Sequence, residues 1–337
     1  GSGSYTADDF VAYLRGDQSR ELGRGAGGTL RARSSPIGSI INSEPVVAAP
    51  RSDLGYGNVF RLNSDSMFAG YASNTDGTGY LDIKRRRPAV AYVGANDGML
   101  HAFNAATTPC QLDATQTCAG PNAGREAFGF IPNAVLNKLG NIPVVDARYE
   151  HQYFVDGQIS IGDVKSGAGT TGAAWKTVLV GSTGGGARSI FALDVSSFST
   201  DPASAERFSS ANVLWERNDA VDGDIGHIYG KPLIVPLENG QWGVIFGNGY
   251  GGRRSDPSLY VLNAMTGAVI AKLTADDGQP ARAGGVLSGL LCELRNLLNL
   301  GTCAAQPTSP YNGLGQVTAI DRSGNGRVDT IYGGDLQ

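Results

Sequence analysis

Asp321, Ser323, Asn325 and Asp329 place oxygen-bearing side chains at the first, third, fifth and ninth positions of one short stretch near the end of the sequence. Gly326, at the sixth position, lets the backbone turn back sharply. Arg327, at the seventh, can offer its carbonyl inward while its basic side chain points away. This is the spacing of a cation cage built from consecutive residues. Oxygen donors without sulfur or imidazole select a hard ion, and an irregular loop suits Ca2+ better than the strict octahedron of Mg2+. Calcium is therefore the expected cofactor, held by Asp321, Ser323, Asn325, the Arg327 carbonyl and Asp329, with water completing the shell. Two carboxylates give a modest expected affinity, roughly micromolar to millimolar. The alternative is a polar turn before a strand, closed by Asx hydrogen bonds.

Other polar groupings carry less. Asn74, Asp76, Thr78 and Asp82, with Gly79 at the sixth place, repeat the alternation, but the leading asparagine weakens the cage. Asp219, Asp222 and Asp224 read as a solvated acidic turn rather than a metal site. His101, His151 and His227 share no local spacing and are expected to be hydrogen-bonded structural residues. Gly247-Asn248-Gly249-Tyr250-Gly251-Gly252 formally matches G-x-G-x-x-G. A dinucleotide site needs a helix to open there, and Pro257 followed by a further apolar strand excludes it. No G-x-S-x-G elbow occurs, and the chain is not expected to be an enzyme. Arg15-Gly16-Asp17 is the integrin-recognition tripeptide, although Gly16 has a simpler use as the left-handed cap of a preceding helix.

Stepping from these residues to their scaffold, 337 residues suit two average domains or one large β architecture. The 49 glycines, set between short apolar runs, favour the second. A net charge of −4 with scattered basic residues gives no nucleic-acid footprint, and Lys84-Arg85-Arg86-Arg87 reads as a solvated approach to a strand. No apolar run reaches membrane-spanning length. Gly1-Ser2-Gly3-Ser4 reads as a cloning remnant, so an export signal would lie outside this chain. The four cysteines form two local pairs, Cys110 with Cys118 and Cys292 with Cys303, read as two disulfides of an exported protein. Free thiols are the alternative, since zinc spacing is absent.

Thr6 caps a predicted helix over residues 7–14, and a polar, glycine-rich linker follows to Gly28, so residues 1–30 stand apart from a β domain over 31–337. From Pro45-Val46-Val47-Ala48 onward one unit recurs, an apolar strand, a glycine turn and a second strand. Its copies are Ala91 to Phe103, Val178 to Asp194, Val244 to Asn263, and an opening at Thr330. Asp97-Gly98 marks the first hairpin. Repeated hairpins separated by variable insertions are the pattern of propeller blades, with a short helix inserted after Pro132. A propeller closes its last blade on its first, so a chain stopping within a hairpin is expected to continue into further blades.

Tyr13-Leu14-Arg15-Gly16-Asp17, Ile40 to Val46, Tyr92 to Phe103, Phe154-Val155-Asp156-Gly157, Phe246 to Tyr250 and the closing cation loop with Tyr332 to Gln337 together resemble the C-terminal domain of the PilY/PilC-type type IV pilus biogenesis factors, which are pilus-tip adhesins. The resemblance covers nearly the whole chain. It implies a modified β-propeller exported to the outer membrane and pilus tip, with minor pilins and other tip components as partners. It further implies roles in pilus assembly, calcium-dependent control of retraction, twitching motility and adhesion, with Arg15-Gly16-Asp17 aligned to an integrin-type site. Two other functions fit a calcium-holding propeller: a quinoprotein dehydrogenase, whose ion is held centrally by separate blades and accompanied by adjacent cysteines absent here, and a passive tip scaffold without calcium switching.

Overall fold

The computed structural model describes residues 5–24, 27–56, 65–105, 123–145, 149–167, 169–199, 204, 207–253, 257–274 and 313–335. All four cysteines, and with them both expected disulfides, lie outside the described residues.

Three four-stranded antiparallel sheets follow one another along the chain, each a meander of sequence neighbours. The first contains β1 (Val46–Ala48), β2 (Val90–Gly94), β3 (Leu100–Asn104) and β4 (Glu126–Phe130). The second contains β5 (Ile159–Lys165), β6 (Trp175–Ser182), β7 (Ser189–Asp194) and β8 (Val213–Asn218). The third contains β9 (Leu233–Pro236), β10 (Trp242–Gly247), β11 (Ser258–Asn263) and β12 (Val269–Thr274). A two-stranded sheet of β13 (Leu314–Ile320) and β14 (Thr330–Asp335) comes last. This is a run of propeller-type blades in an all-β fold with short helical insertions.

The inner strands read as continuous apolar runs because both faces are buried. In β6, Val178 and Val180 enter one core while Leu179 enters another, and Ile190 and Phe191 of β7 divide in the same way. In β10, Val244 and Phe246 pack toward the second sheet while Ile245 packs toward β13 and β14. The glycine that ends the second strand of the first and third sheets has a steric cause. A Cβ on Gly94 would lie 2.3 Å from the Val155 carbonyl oxygen, and one on Gly247 would lie 2.3 Å from that of Leu314. The glycine admits the neighbouring blade's backbone.

Helix α1 (Ala7–Leu14) begins in the expected capping box: the Thr6 hydroxyl accepts from the Asp9 N–H at 3.1 Å, and the Asp9 carboxylate accepts from the Thr6 N–H at 2.9 Å. The stretch read as a linker is instead tied into the fold. Glu21 is fully buried and pairs with Arg33 at 2.7 Å, and Leu30 joins Tyr13 in a small core. The insertion after Pro132 is a 3-10 helix, Asn133–Asn141, whose first N–H groups are capped by the Glu216 carboxylate at 2.8 and 3.0 Å.

A second short helix, α2 (Tyr80–Lys84), corrects the reading of Lys84 to Arg87 as solvated at Lys84 and Arg87, while Arg86 is exposed. Lys84 turns inward, 2.7 Å from the buried Asp163 carboxylate, which also accepts from the Tyr71, Tyr80 and Thr177 hydroxyls at 2.8, 3.0 and 3.2 Å. Arg87 follows it, donating to Thr177 Oγ1 at 2.9 Å. Four donors around one carboxylate explain why so polar a cluster can sit inside the fold.

Candidate functional site

The Asp321–Asp329 stretch is the hairpin that joins β13 to β14. Asp321 organises its first half. Its Oδ1 accepts from the Gly324 N–H at 2.6 Å, the Asn325 N–H at 3.2 Å and the Ser323 hydroxyl at 3.1 Å, while Oδ2 accepts from the Gly326 N–H at 2.6 Å. Asp329 closes the loop from the other side, with Oδ2 accepting from the Arg322 and Ser323 N–H groups at 3.1 and 3.0 Å. The Thr330 hydroxyl, against the opposing effect of desolvation and with help from those two N–H groups and the Arg322 charge, holds the Asp329 carboxyl below the usual range. Gly324 and Gly326 both take positive φ, +70° and +82°. Gly326 was legible in the spacing; Gly324 is a second left-handed turn.

Asn325 is held in one orientation. Its amide nitrogen donates to Glu238 Oε1 at 2.7 Å, and its Oδ1 accepts from the Arg327 N–H at 2.8 Å. The Arg327 side chain points away from the hairpin interior. It donates to the Glu238 carbonyl at 3.2 Å and forms an ion pair with Asp65, a partner 262 residues distant that no local spacing could reveal. The Val328 N–H donates to the Pro236 carbonyl at 2.8 Å, fastening the loop to the third sheet. Asp65 opens the segment whose Met67 and Phe68 enter the aromatic core around Trp175 and Trp242.

The donor set fits a hard divalent cation. Among the described residues no three acidic, histidine or cysteine side chains converge, so an ion here relies on two carboxylates, neutral oxygens and water. Asp321 Oδ2 and Asn325 Oδ1 each accept one N–H and retain a lone pair, whereas Asp321 Oδ1 already accepts three donors and each Asp329 oxygen two, so an ion must displace some of these bonds. Ser323 now donates to Asp321 and must rotate to present a lone pair to an ion.

The other sequence candidates are placed as follows. In the Asn74 stretch, Asn74 Oδ1 accepts from the Thr78 and Gly79 N–H groups at 2.9 and 3.0 Å and Asp82 accepts from the Asn74 N–H at 2.9 Å, so the segment closes on itself and enters α2. The acidic turn is not a solvated loop: Asp222 and Asp224 flank the Lys272 ammonium at 3.0 and 2.6 Å, and Asp219 lies 3.4 Å from Arg188. Arg15 and Asp17 are exposed on either side of Gly16, whose φ of +97° ends α1, and Asp17 accepts from the Ser19 N–H at 2.7 Å. His151 bonds Ser39 at 2.8 Å and His227 bonds the Gly184 carbonyl at 2.8 Å. His101 bridges Glu126 at 2.5 Å and Asp97 at 3.0 Å. Burial opposes its charge, but the two carboxylates outweigh burial and raise it to about 9. After Gly247 to Gly252 no helix opens among the described residues and β11 comes next, while Asn248 Oδ1 accepts from the Ser258 and Leu314 N–H groups, both at 2.9 Å.

A family model described as the PilY1 beta-propeller domain matches residues 37–293. The chain belongs to the PilY1 beta-propeller family. It is 36% identical over 338 residues to a type IV pilus biogenesis factor PilY1 homolog of Xylella fastidiosa (strain Temecula1), covering 99% of this chain and 19% of that protein. It is 32% identical over 334 residues to type IV pilus biogenesis factor PilY1 of Pseudomonas aeruginosa (strain PAK), covering 98% and 22%. The chain thus spans about a fifth of the length of these relatives. The crystal structure of the Pseudomonas aeruginosa PilY1 C-terminal domain matches with a TM-score of 0.51 and 28% identity, over 83% of this chain and 42% of that one. The Asp321–Asp329 hairpin lies beyond the residues matched by the PilY1 family model. Among the described residues no helix is long and apolar enough to cross a membrane.

Proposed function

We propose that this chain is the calcium-responsive propeller of a type IV pilus biogenesis factor. It is exported to the outer membrane and pilus tip and acts there with minor pilins and other tip components, without enzymatic chemistry. In this reading it controls pilus extension and retraction, and through them twitching motility and surface attachment. The observation that supports the reading is the β13–β14 hairpin, where Asp321, Ser323, Asn325 and Asp329 fall in one turn and Arg327 ties that turn to Asp65. A bound calcium ion would supply positive charge between the Asp321 and Asp329 carboxylates. The chain's own part is to hold those carboxylates through backbone N–H groups, to fix Asn325 through Glu238, and to pass a change in loop order to the Asp65 segment through Arg327.

Calorimetric titration with Ca2+ tests the site. The wild-type chain is expected to give a saturable signal that Asp321→Ala and Asp329→Ala both lose while retaining the wild-type circular dichroism spectrum. Unchanged calcium binding in both variants refutes the assignment. Comparing pilus retraction between strains carrying wild-type or Asp329→Ala full-length protein separates a switch from a passive scaffold, which predicts equal retraction. The adhesive arm rests on the exposed Arg15 and Asp17 flanking a left-handed glycine, and attachment to an integrin-coated surface should fall in Asp17→Glu if an integrin-type receptor reads them.

A further inference from the structure

Between the first two sheets lies a cavity of about 220 Å³, bounded by β1 and β2, the turn that follows α2, and the turn that follows β7. Its charge is one-sided. Lys84, Arg86 and Arg87 line it, and among the described residues no aspartate or glutamate does, in a chain whose net charge is −4. Lys84 is neutralised by Asp163, but Arg87 donates to two neutral hydroxyls, Tyr80 at 3.2 Å and Thr177 at 2.9 Å. A guanidinium carries five N–H donors, so donating capacity remains.

Tyr92 supplies the second observation. It lines the same cavity, its side chain is fully buried, and its hydroxyl has no hydrogen-bond partner among the described residues. Burial pushes the phenol up and the Arg87 charge opposes this, so Tyr92 stays protonated and is a donor without an acceptor. A buried hydroxyl left this way is unfavourable, which makes an acceptor from outside the protein the natural complement. The remaining wall is apolar, with Val90, Val195, Pro50 and Pro88.

We propose that this cavity binds a small oxyanion with a short apolar body, the Tyr92 hydroxyl and the Arg87 guanidinium donating to the anionic head while Val90, Val195 and Pro88 contact the body. The volume lies below the roughly 300 Å³ at which drug-sized pockets begin, so the ligand is of the size of a single substituted ring or a branched short chain. A carboxylate and a phosphate monoester present the same acceptor chemistry to these donors.

Saturation-transfer NMR on this chain with benzoate, phenyl phosphate and benzylamine tests the assignment. At least one anion is expected to bind saturably, the tighter of the two identifying the head group, while benzylamine does not. Tyr92→Phe removes the unpartnered hydroxyl, should leave the melting temperature at or above the wild-type value, and should weaken the anion about fivefold. Arg87→Gln should weaken it about tenfold or more. The absence of saturation by both anions at millimolar concentration overturns the proposal, as does wild-type affinity in Tyr92→Phe and Arg87→Gln together.

Discussion

Replacing Lys84 with methionine isolates the energetic role of the inward-turning helix α2. The Lys84 side chain is 6% exposed and that of Asp163 is 0% exposed, so the pair is shielded from water. Removing the ammonium leaves a buried carboxylate without its counter-charge, which typically costs about 3–5 kcal/mol. Two local features act in opposite directions. The Tyr71, Tyr80 and Thr177 hydroxyls still donate to Asp163 and limit the loss, whereas the Ser52 carbonyl and hydroxyl, each 3.0 Å from Nζ, lose their donor. The expected destabilisation is therefore near the lower end, about 3 kcal/mol. Tryptophan fluorescence during urea unfolding reports directly on this region, because the Trp175 ring lies 4.7 Å from Tyr71 and 5.9 Å from Tyr80. Asp163→Asn keeps the shape and an acceptor, so Lys84→Met/Asp163→Asn should recover about half of the loss or more, giving a coupling energy above about 1 kcal/mol. A Lys84→Met midpoint indistinguishable from wild type, or a double variant no better than the sum of its parents, refutes the claim that the pair acts as a unit.

His101 gives a pH signature. Its folded-state value of about 9 lies above the ordinary 6.5, so its contribution is fully present below about pH 6.5 and lost as pH rises through 9. That contribution is on the order of 3 kcal/mol at most, and His101→Gln should abolish the alkaline fall in melting temperature. Two glycines with the same backbone sign should respond differently. Gly249 (φ +71°) would place a Cβ 2.0 Å from the His227 carbonyl oxygen, so Gly249→Ala should prevent soluble expression. Gly240 (φ +78°) faces open space, and Gly240→Ala should cost only about 1–2 kcal/mol in urea unfolding. Arg327→Ala should leave calorimetric calcium affinity within about threefold of wild type, because position seven contributes its carbonyl. The same variant should hasten proteolysis near Asp65, and unchanged cleavage would argue against the coupling.

The blades were legible because their cause is local. Val178-Leu179-Val180-Gly181 and Val244-Ile245-Phe246-Gly247 announce strands buried on both faces, with a glycine where the Phe191 ring (Gly181) or the Leu314 backbone (Gly247) comes close, and β6 and β10 lie there. β13 was less visible: Gly315, Gln316 and Thr318 dilute its apolar run, yet Leu314 and Val317 are buried against the third sheet. α2 was hidden for the opposite reason. A basic run after a polar loop looks solvated when each residue is judged alone, and only Asp163, 79 residues away from Lys84, gives that lysine a reason to turn inward. The supposed linker failed in the same way, since the pairing of Glu21 with Arg33 is a tertiary fact.

The hairpin between β13 and β14 shows where local reasoning ends. Spacing nominates Asp321, Ser323, Asn325 and Asp329 as oxygen donors, and the structure places them in one turn with two left-handed glycines, closed by hydrogen bonds onto the Asp321 and Asp329 carboxylates. What makes the loop more than a turn lies elsewhere in the chain: Glu238 fixes the Asn325 amide, Pro236 receives the Val328 N–H, and Asp65 receives Arg327. A cage isolated from the fold could bind an ion without consequence. Here Arg327, whose carbonyl the calcium proposal assigns to the ion, sends its side chain to the segment packed against Trp175 and Trp242, so under that proposal ordering one side of Arg327 constrains the other. If the loop binds calcium as proposed, its effect depends less on how tightly it holds the ion than on whether the Arg327–Asp65 pair survives when calcium leaves. Comparing Asp65→Asn with Asp321→Ala separates the two: the first should retain ion binding and lose its effect on the core, while the second should lose both.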